Sequence, residues 1–207
     1  IPNGLELIYT NSQDPTTKSI SRIFLKGNEL ITEGTKESSV RGVFVCPATR
    51  FDWKARLASI QRKKRVGELI SSLKEIEPNI SDIRINEIGI LEADVGLRKL
   101  IPVNLMGGGI ANSLSILLAM LDSQDGIVLI DEVEEGLHYS IQNKIWKAVF
   151  KWAQDINVQV FATTHSNECI RAFSNSVDMT LFGSEAKLFR IERKDERFRA
   201  VEYTKEL

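Results

Sequence analysis

GIVLIDEVEEGLH, residues 126–138, gives the strongest indication of the fold. It opens as a short apolar run and ends in acidic residues, a pattern typical of a buried strand in a parallel sheet. A second apolar run, NVQVFATT at residues 157–164, has the same character. Apolar residues recur at helical spacing between the two runs, at Ile141, Ile145, Val149 and Trp152. Strand, helix and strand in this order predict a right-handed βαβ unit whose two strands are parallel and are neighbours or near neighbours in the sheet.

The ends of the two predicted strands carry the residues suited to chemistry. Asp131 and Glu132 close the first strand, and His165 follows the second. Ligands of open α/β sheets bind at the carboxyl ends of the strands, so these residues should face one site. An Asp that holds magnesium through its water shell and a Glu that orients or deprotonates water are what phosphoryl transfer to water requires. The alternative for the acidic pair is the start of a helix, where the helix dipole favours carboxylates. The alternative for His165 is a polar residue at a strand end whose hydrogen bonds are satisfied and which has no role in chemistry.

A glycine-rich turn precedes this unit. Leu105 to Gly109 come before an amphipathic helix with one apolar face. That face consists of Ile110, Leu114, Leu117, Leu118 and Leu121. Gly107, Gly108 and Gly109 suit a phosphate-binding backbone or, taken alone, a simple helix-entry turn.

The flanking regions are rich in short strands. Three runs, Leu5 to Tyr9, Ile20 to Leu25 and Val43 to Val45, predict a small antiparallel sheet. Helical spacing then extends from Asp52, a plausible N-cap, to Pro78, with a slip of register near Gly67 that predicts two helices or a kink.

More strands are expected from Ile83 to Val103. Three terminal runs, at Met179 to Phe182, Lys187 to Ile191 and Phe198 to Tyr203, either complete the main sheet or form an edge meander.

Three motifs in order resemble the second half of an ABC-type ATPase. LMGGGI (105–110) stands at the signature position, GIVLIDEVEEGLH (126–138) is similar to Walker B with its D-loop, and FATTHS (161–166) is similar to the switch-histidine loop. The sequences of these motifs most resemble those of the OLD, RecF and SMC-like branch, especially AAA-type ATPases of the overcoming-lysogenization family. The resemblance is specific from Pro102 to Phe173. Met106 and Gly109 replace the serine and glutamine of the usual LSGGQ signature, which leaves a backbone cradle without the serine hydroxyl.

The resemblance implies a P-loop NTPase-like α/β fold: a partly parallel sheet flanked by helices, with a small N-terminal β-rich and helical region. ATP and Mg²⁺ are the implied cofactors. Asp131 would bind Mg²⁺ through water, Glu132 would be the catalytic base, and His165 the switch histidine. Gly107, Gly108 and Gly109 would contact the ATP γ-phosphate of a homodimer partner in an ATP sandwich. Glu135, Gly136, Leu137 and His138 would form the D-loop that meets that partner.

One motif of such an ATPase is missing. The sequence contains no G-x-x-x-x-G-K-[ST] and no Gly-Lys dipeptide, so nothing in it wraps a β-phosphate as a P-loop does. We therefore expect the Walker A lobe upstream or on another chain. The expected parts are residues 1–50, a β-rich segment completing the ATPase lobe; residues 51–100, helices and linker strands; and residues 101–207, the subdomain with signature, Walker B and switch histidine.

The composition limits how the chain could contact nucleic acid. A net charge of −1 over 207 residues gives no overall basic field, so any contact with nucleic acid has to be local. The basic run 62–65 suits a phosphate backbone or, more simply, a solvated helix face. Trp146, Phe150 and Trp152 suit base stacking or, at their helical spacing, packing.

The two cysteines, Cys46 and Cys169, are far apart and lack the spacing of a zinc site, which predicts free thiols in a reducing compartment. No apolar run reaches the roughly 20 residues of a membrane span and no signal peptide opens the chain, which predicts a cytoplasmic protein without a membrane.

The leading hypothesis is therefore an ATPase acting through ATP-dependent dimerisation in DNA maintenance or phage defence, with nucleic acid or an effector protein as possible partner. The alternatives are the nucleotide-binding subunit of a membrane transporter and a non-catalytic dimerisation module.

Overall fold

The structure is a computed structural model that describes residues 4–10, 18–26, 29–34, 41–46, 53–177, 185–194 and 197–203. The chain divides into two compact units, Ile1–Val40 and Arg41–Leu207. No helix among the described residues is long and apolar enough to cross a membrane.

The first unit is a three-stranded antiparallel meander. Its strands are β1 (Gly4–Thr10), β2 (Lys18–Lys26) and β3 (Glu29–Gly34), with β2 in the centre. The prediction of β1 and β2 is confirmed, and the register pairs Ile8 with Ile20. β3 was not predicted, because its sequence ELITEG has only two apolar residues, and these are adjacent rather than alternating.

The second unit begins with β4 (Gly42–Val45) and two helices, α1 (Trp53–Arg62) and α2 (Val66–Lys74). The predicted interruption of the helix is confirmed, since Lys64 has a φ of 58° between the two. The basic run 62–65 therefore ends α1 and turns into α2, so it does not form one helix face. Within it, Arg65 pairs with Glu68 at 2.6 Å. The predicted N-cap Asp52 lies outside the described residues.

A small antiparallel sheet leads into the central helix. Its strands are β5 (Asp82–Ile85), β6 (Leu91–Asp94) and β7 (Ile101–Pro102), and a 3-10 turn (Val103–Leu105) precedes helix α3 (Gly108–Asp122). Every residue of α3 from Ala111 to Asp122 is buried, as expected of a helix with neighbours on all sides. Trp53 of α1 donates its indole N–H to the Ser115 hydroxyl of α3 at 2.7 Å, which fixes the two helices against each other.

The rest of the unit is the predicted βαβ unit followed by one more helix. Its elements are β8 (Ile127–Ile130), α4 (Tyr139–Asp155), β9 (Gln159–Ala162) and α5 (Asn167–Ser176). β8 lies between β4 and β9, and both pairings are parallel. The parallel βαβ prediction is confirmed. The prediction that Val43 to Val45 belongs to the antiparallel N-terminal sheet is wrong, because β4 pairs with β8 instead.

The two faces of the parallel sheet differ. Val45, Val128 and Ile130 point to the face on which α3 packs, and all three are buried. On the other face Phe44, Leu129 and Phe161 lie side by side in register, and they are 50%, 43% and 52% exposed. The prediction of fully buried strands is therefore wrong for this face. We call these three residues the apolar row.

A β-hairpin ends the described chain. Its strands β10 (Phe189–Lys194) and β11 (Arg197–Glu202) form a two-stranded antiparallel sheet of their own. The runs predicted from Lys187 and Phe198 are thus strands, but neither joins the parallel sheet. The predicted run at Met179 to Phe182 lies outside the described residues. Trp146 and Trp152 of α4 are buried and Trp146 packs edge-on against Phe173, as the packing interpretation predicts.

Candidate active site

The backbone ladder places Asp131 at the carboxyl edge of the parallel sheet. Its N–H donates to the carbonyl of Val45 at 2.8 Å, which continues the pairing of β8 with β4 by one residue. On the other side, the N–H of Thr163 donates to the carbonyl of Ile130 at 2.9 Å. Asp131 and Thr163 therefore meet where both strands end.

A single hydroxyl joins the two residues of the acidic pair. The Thr163 hydroxyl donates to Oδ1 of Asp131 at 2.7 Å and accepts from the N–H of Glu132 at 3.0 Å. This bond orients the Asp131 carboxylate and fixes the start of the turn that carries Glu132. Thr163 was not identified from the sequence, although its position at a strand end, two residues before His165, was a signal.

Glu132 lies in a strained turn. Its φ is 51°, in the left-handed region that non-glycine residues enter at a cost of about 1–2 kcal/mol. Two backbone hydrogen bonds hold the turn. The N–H of Val133 donates to the carbonyl of Thr163 at 3.0 Å, and the N–H of Glu135 donates to the carbonyl of Glu132 at 2.9 Å. Backbone strain of this kind clusters at functional sites.

The acidic residues do not serve as the start of a helix. α4 begins at Tyr139, its first turn has no acidic residue, and its N-cap is His138, whose side chain accepts from the N–H of Ser140. The effect of the helix dipole fades within the first turn, so it gives Asp131 and Glu132 little stabilisation. The helix-start interpretation is therefore disfavoured.

The predicted D-loop is fixed to α3 by a buried amide. Asn112 of α3 is 2% exposed, and its Nδ2 donates to the carbonyls of Glu135 at 2.7 Å and Val133 at 3.2 Å. Leu137 in the same loop is buried, whereas Glu135, Gly136 and His138 are exposed. Asn112, one of several polar residues in a mostly apolar helix, was not identified from the sequence.

The predicted signature glycines pack against this loop within the same chain. Gly107 (φ 100°) caps α3, and a Cβ added to Gly108 would lie 3.6 Å from the backbone of Gly136. A Cβ added to Gly109 would come within 2.8 Å of Ile141 Cδ1. Gly136 itself has a φ of 72°. The predicted signature glycines and the predicted D-loop thus approach each other backbone to backbone.

His165 is exposed in the loop between β9 and α5. Its N–H donates to Oε1 of Glu134 at 2.9 Å, and the next residue, Ser166, caps α5 by accepting from the N–H of Cys169 at 3.2 Å. The structure therefore ties the loop of His165 to the turn that carries Asp131 and Glu132.

The donor set agrees with magnesium held by a phosphate. Among the described residues no three His, Cys, Asp or Glu side chains cluster as a metal site. Mg²⁺ keeps several waters and is usually bound through one or two carboxylates together with substrate phosphates. Asp131, whose carboxylate is oriented by the hydrogen bond from the Thr163 hydroxyl, fits that mode.

Known proteins share this architecture. A curated ATP/GTP phosphatase of Helicobacter pylori is 31% identical over 133 residues, which are 62% of this chain and 36% of the relative, so the chain matches about a third of that protein's length. The Smc head bound to the C-winged helix domain of ScpA superposes with a TM-score of 0.64 at 10% identity, over 98% of this chain and 74% of that one. A structure from work on ATP-driven dimerization of SMC ATPases gives 0.51 at 10% identity, over 72% and 89%.

The fold is therefore that of an SMC-like, P-loop NTPase-like head, as predicted. The family model of the AAA ATPase domain matches residues 11–170, which include all three motifs. The chain belongs to the AAA ATPase domain family.

Proposed function

We propose that this chain is the water-activating and dimer-contacting part of an ABC-type ATPase that hydrolyses ATP between two protomers. The observation that carries the proposal is the shared hydroxyl of Thr163, which holds Asp131 and Glu132 together at the carboxyl edge of the sheet. Membership of an ATPase family makes ATP the substrate to test first.

The proposed roles follow from position. Asp131, oriented by Thr163, would hold a magnesium ion through its bound waters, and that ion would neutralise charge on the phosphates. Glu132 orients the attacking water and takes its proton. His165, one loop away, bonds the terminal phosphate.

The phosphate-binding loop is proposed to come from a further segment or chain. The sequence has no P-loop, and the apolar row leaves one face of a parallel sheet uncovered among the described residues. Parallel sheets are normally covered on both faces. A Walker A strand that joined the sheet, followed by a helix that covered the apolar row, would bring the loop between them to the carboxyl edge, where Asp131 and Glu132 lie.

This arrangement predicts that the chain alone binds ATP weakly or not at all. Asp131 and Glu132 offer carboxylates, which repel phosphate unless a cradle of N–H groups and a lysine holds it. Calorimetric titration with ATP and magnesium tests this expectation. The positive control is the assembled ATPase, by which we mean the chain together with the segment or chain that carries the Walker A loop. A dissociation constant in the low micromolar range for the chain alone contradicts the proposal of a separate Walker A lobe.

Thr163→Val is expected to lower ATP hydrolysis by the assembled ATPase roughly tenfold to a hundredfold, the usual range for loss of a group that orients a metal ligand. Valine removes the donor to Asp131 and the acceptor for Glu132 while keeping the shape. Phosphate release measures the effect, and Thr163→Ser, which keeps the hydroxyl, is the matched control. Equal rates for valine and serine contradict this role.

The proposal also includes dimerisation and the process in which the dimer acts. The SMC ATPases compared above are described as undergoing ATP-driven dimerization and DNA-stimulated activation. By analogy we propose a homodimer with two ATP molecules between the protomers, acting on nucleic acid or an effector protein in DNA maintenance or phage defence. Steady-state phosphate release by the assembled protein tests the enzyme; binding without turnover favours the dimerisation module instead.

A further inference from the structure

Glu134 joins the two loops of the candidate site. It follows Glu132 by two residues, and its Oε1 accepts the N–H of His165 at 2.9 Å, across a separation of 31 residues. Its other oxygen, Oε2, is buried and has no hydrogen-bond partner among the described residues.

Glu134 also contributes to the raised pKa of a neighbouring buried thiol. Burial raises the pKa of the Cys169 thiol in the first turn of α5, hydrogen bonds from Trp146 and Thr164 oppose that rise, and the negative charge of Glu134 adds to it. Cys169 is 1% exposed. The carboxylate thus lies between the turn of the acidic pair and the start of α5.

The loop that carries His165 is fixed on both sides of that residue. Thr163 bonds to Asp131 and Glu132, and Ser166 caps α5. Glu134 holds the amide of His165 itself, so it determines where the Cα of the histidine lies relative to the acidic pair. A displacement of about 1 Å in a reacting group is sufficient to lower a rate about a hundredfold.

We propose that Glu134 is a positioning residue that sets His165 against Asp131 and Glu132. The proposal rests on the proposed function and adds a residue to its site. Glu134 acts through the backbone of His165, so its effect requires the histidine side chain to be present.

Glu134→Met tests this in the assembled ATPase. Methionine keeps roughly the length of the side chain and removes both the acceptor of the His165 N–H and the negative charge of this partly buried carboxylate. We expect kcat to fall roughly tenfold to a hundredfold. The KM for ATP should change much less, because the phosphate cradle is elsewhere. Glu134→Gln, whose amide oxygen still accepts the His165 N–H, should restore most of the rate.

A double-mutant cycle separates positioning from a general structural role. Glu134→Met should have no further effect on kcat in a His165→Ala background. Thermal unfolding of each variant checks that the fold is kept. Equal losses with and without His165, or a Glu134→Met variant with the normal rate, overturn the proposal. If Glu132→Gln leaves hydrolysis unchanged, the proposed function fails instead, whatever Glu134 does.

Discussion

Glu132→Gln should lower ATP hydrolysis by the assembled ATPase by roughly a hundredfold to ten-thousandfold, the contribution expected of a general base. The amide keeps the shape of the side chain and leaves the backbone bond to Thr163 in place, but it does not take a proton from water. ATP binding should persist, so the ATP-bound dimer should accumulate. Phosphate release, nucleotide binding and light scattering measure the three effects.

Two control variants make this result specific. Asp131→Asn should instead weaken magnesium-dependent ATP binding, because Asp131 is the proposed metal-side carboxylate. Glu168→Gln changes an exposed carboxylate in the first turn of α5 and should leave the rate near normal. A normal rate for Glu132→Gln would show that the base is another residue.

Gly108→Asp is expected to abolish hydrolysis by preventing closure of the dimer. The substitution puts a negative charge where the proposal places the γ-phosphate of the partner protomer, and like charges at close range repel strongly. Nucleotide binding by the monomer should survive. Gly108→Ala is the matched control, since its Cβ would lie 3.6 Å from Gly136, an ordinary contact, and it adds no charge.

Mixing tests whether the signature acts on the partner's nucleotide. Gly108→Asp and a P-loop-defective variant should each be inactive alone, whereas their heterodimer has one intact pairing of signature and P-loop. Phosphate release by the mixture should recover in part. A Gly108→Asp variant that is fully active by itself would reduce these glycines to a helix-entry turn.

The parts of the fold that local sequence determines could be predicted. The apolar run of β8, the helical spacing of α4 and the second run of β9 each lie within one short window, and together they specify a βαβ unit. β4 was assigned to the wrong sheet, because nothing within four residues shows that its partner begins at Ile127, more than 80 residues later. Long-range pairing of this kind is a property of the whole chain.

The candidate site shows the same division. Asp131, Glu132 and His165 were predicted because their residue types and positions carry a resemblance that extends over three motifs. Thr163, Asn112 and Glu134 were missed as positioning residues, since their importance lies in contacts with residues 21 to 32 positions away. The bare apolar row was missed for a related reason: a strand of apolar residues looks the same whether one face or both are covered.

At the left-handed backbone position of Glu132, the residue that is best for stability differs from the residue that the proposed chemistry requires. Glycine adopts that conformation without steric cost, so the protein would gain stability from it and lose the carboxylate. Sequences that have drifted to glycine at this position would be expected to keep the fold and the dimer surface as a scaffold. Under the proposed role of Glu132, the identity of this one residue would distinguish an ATPase from a structural relative without turnover.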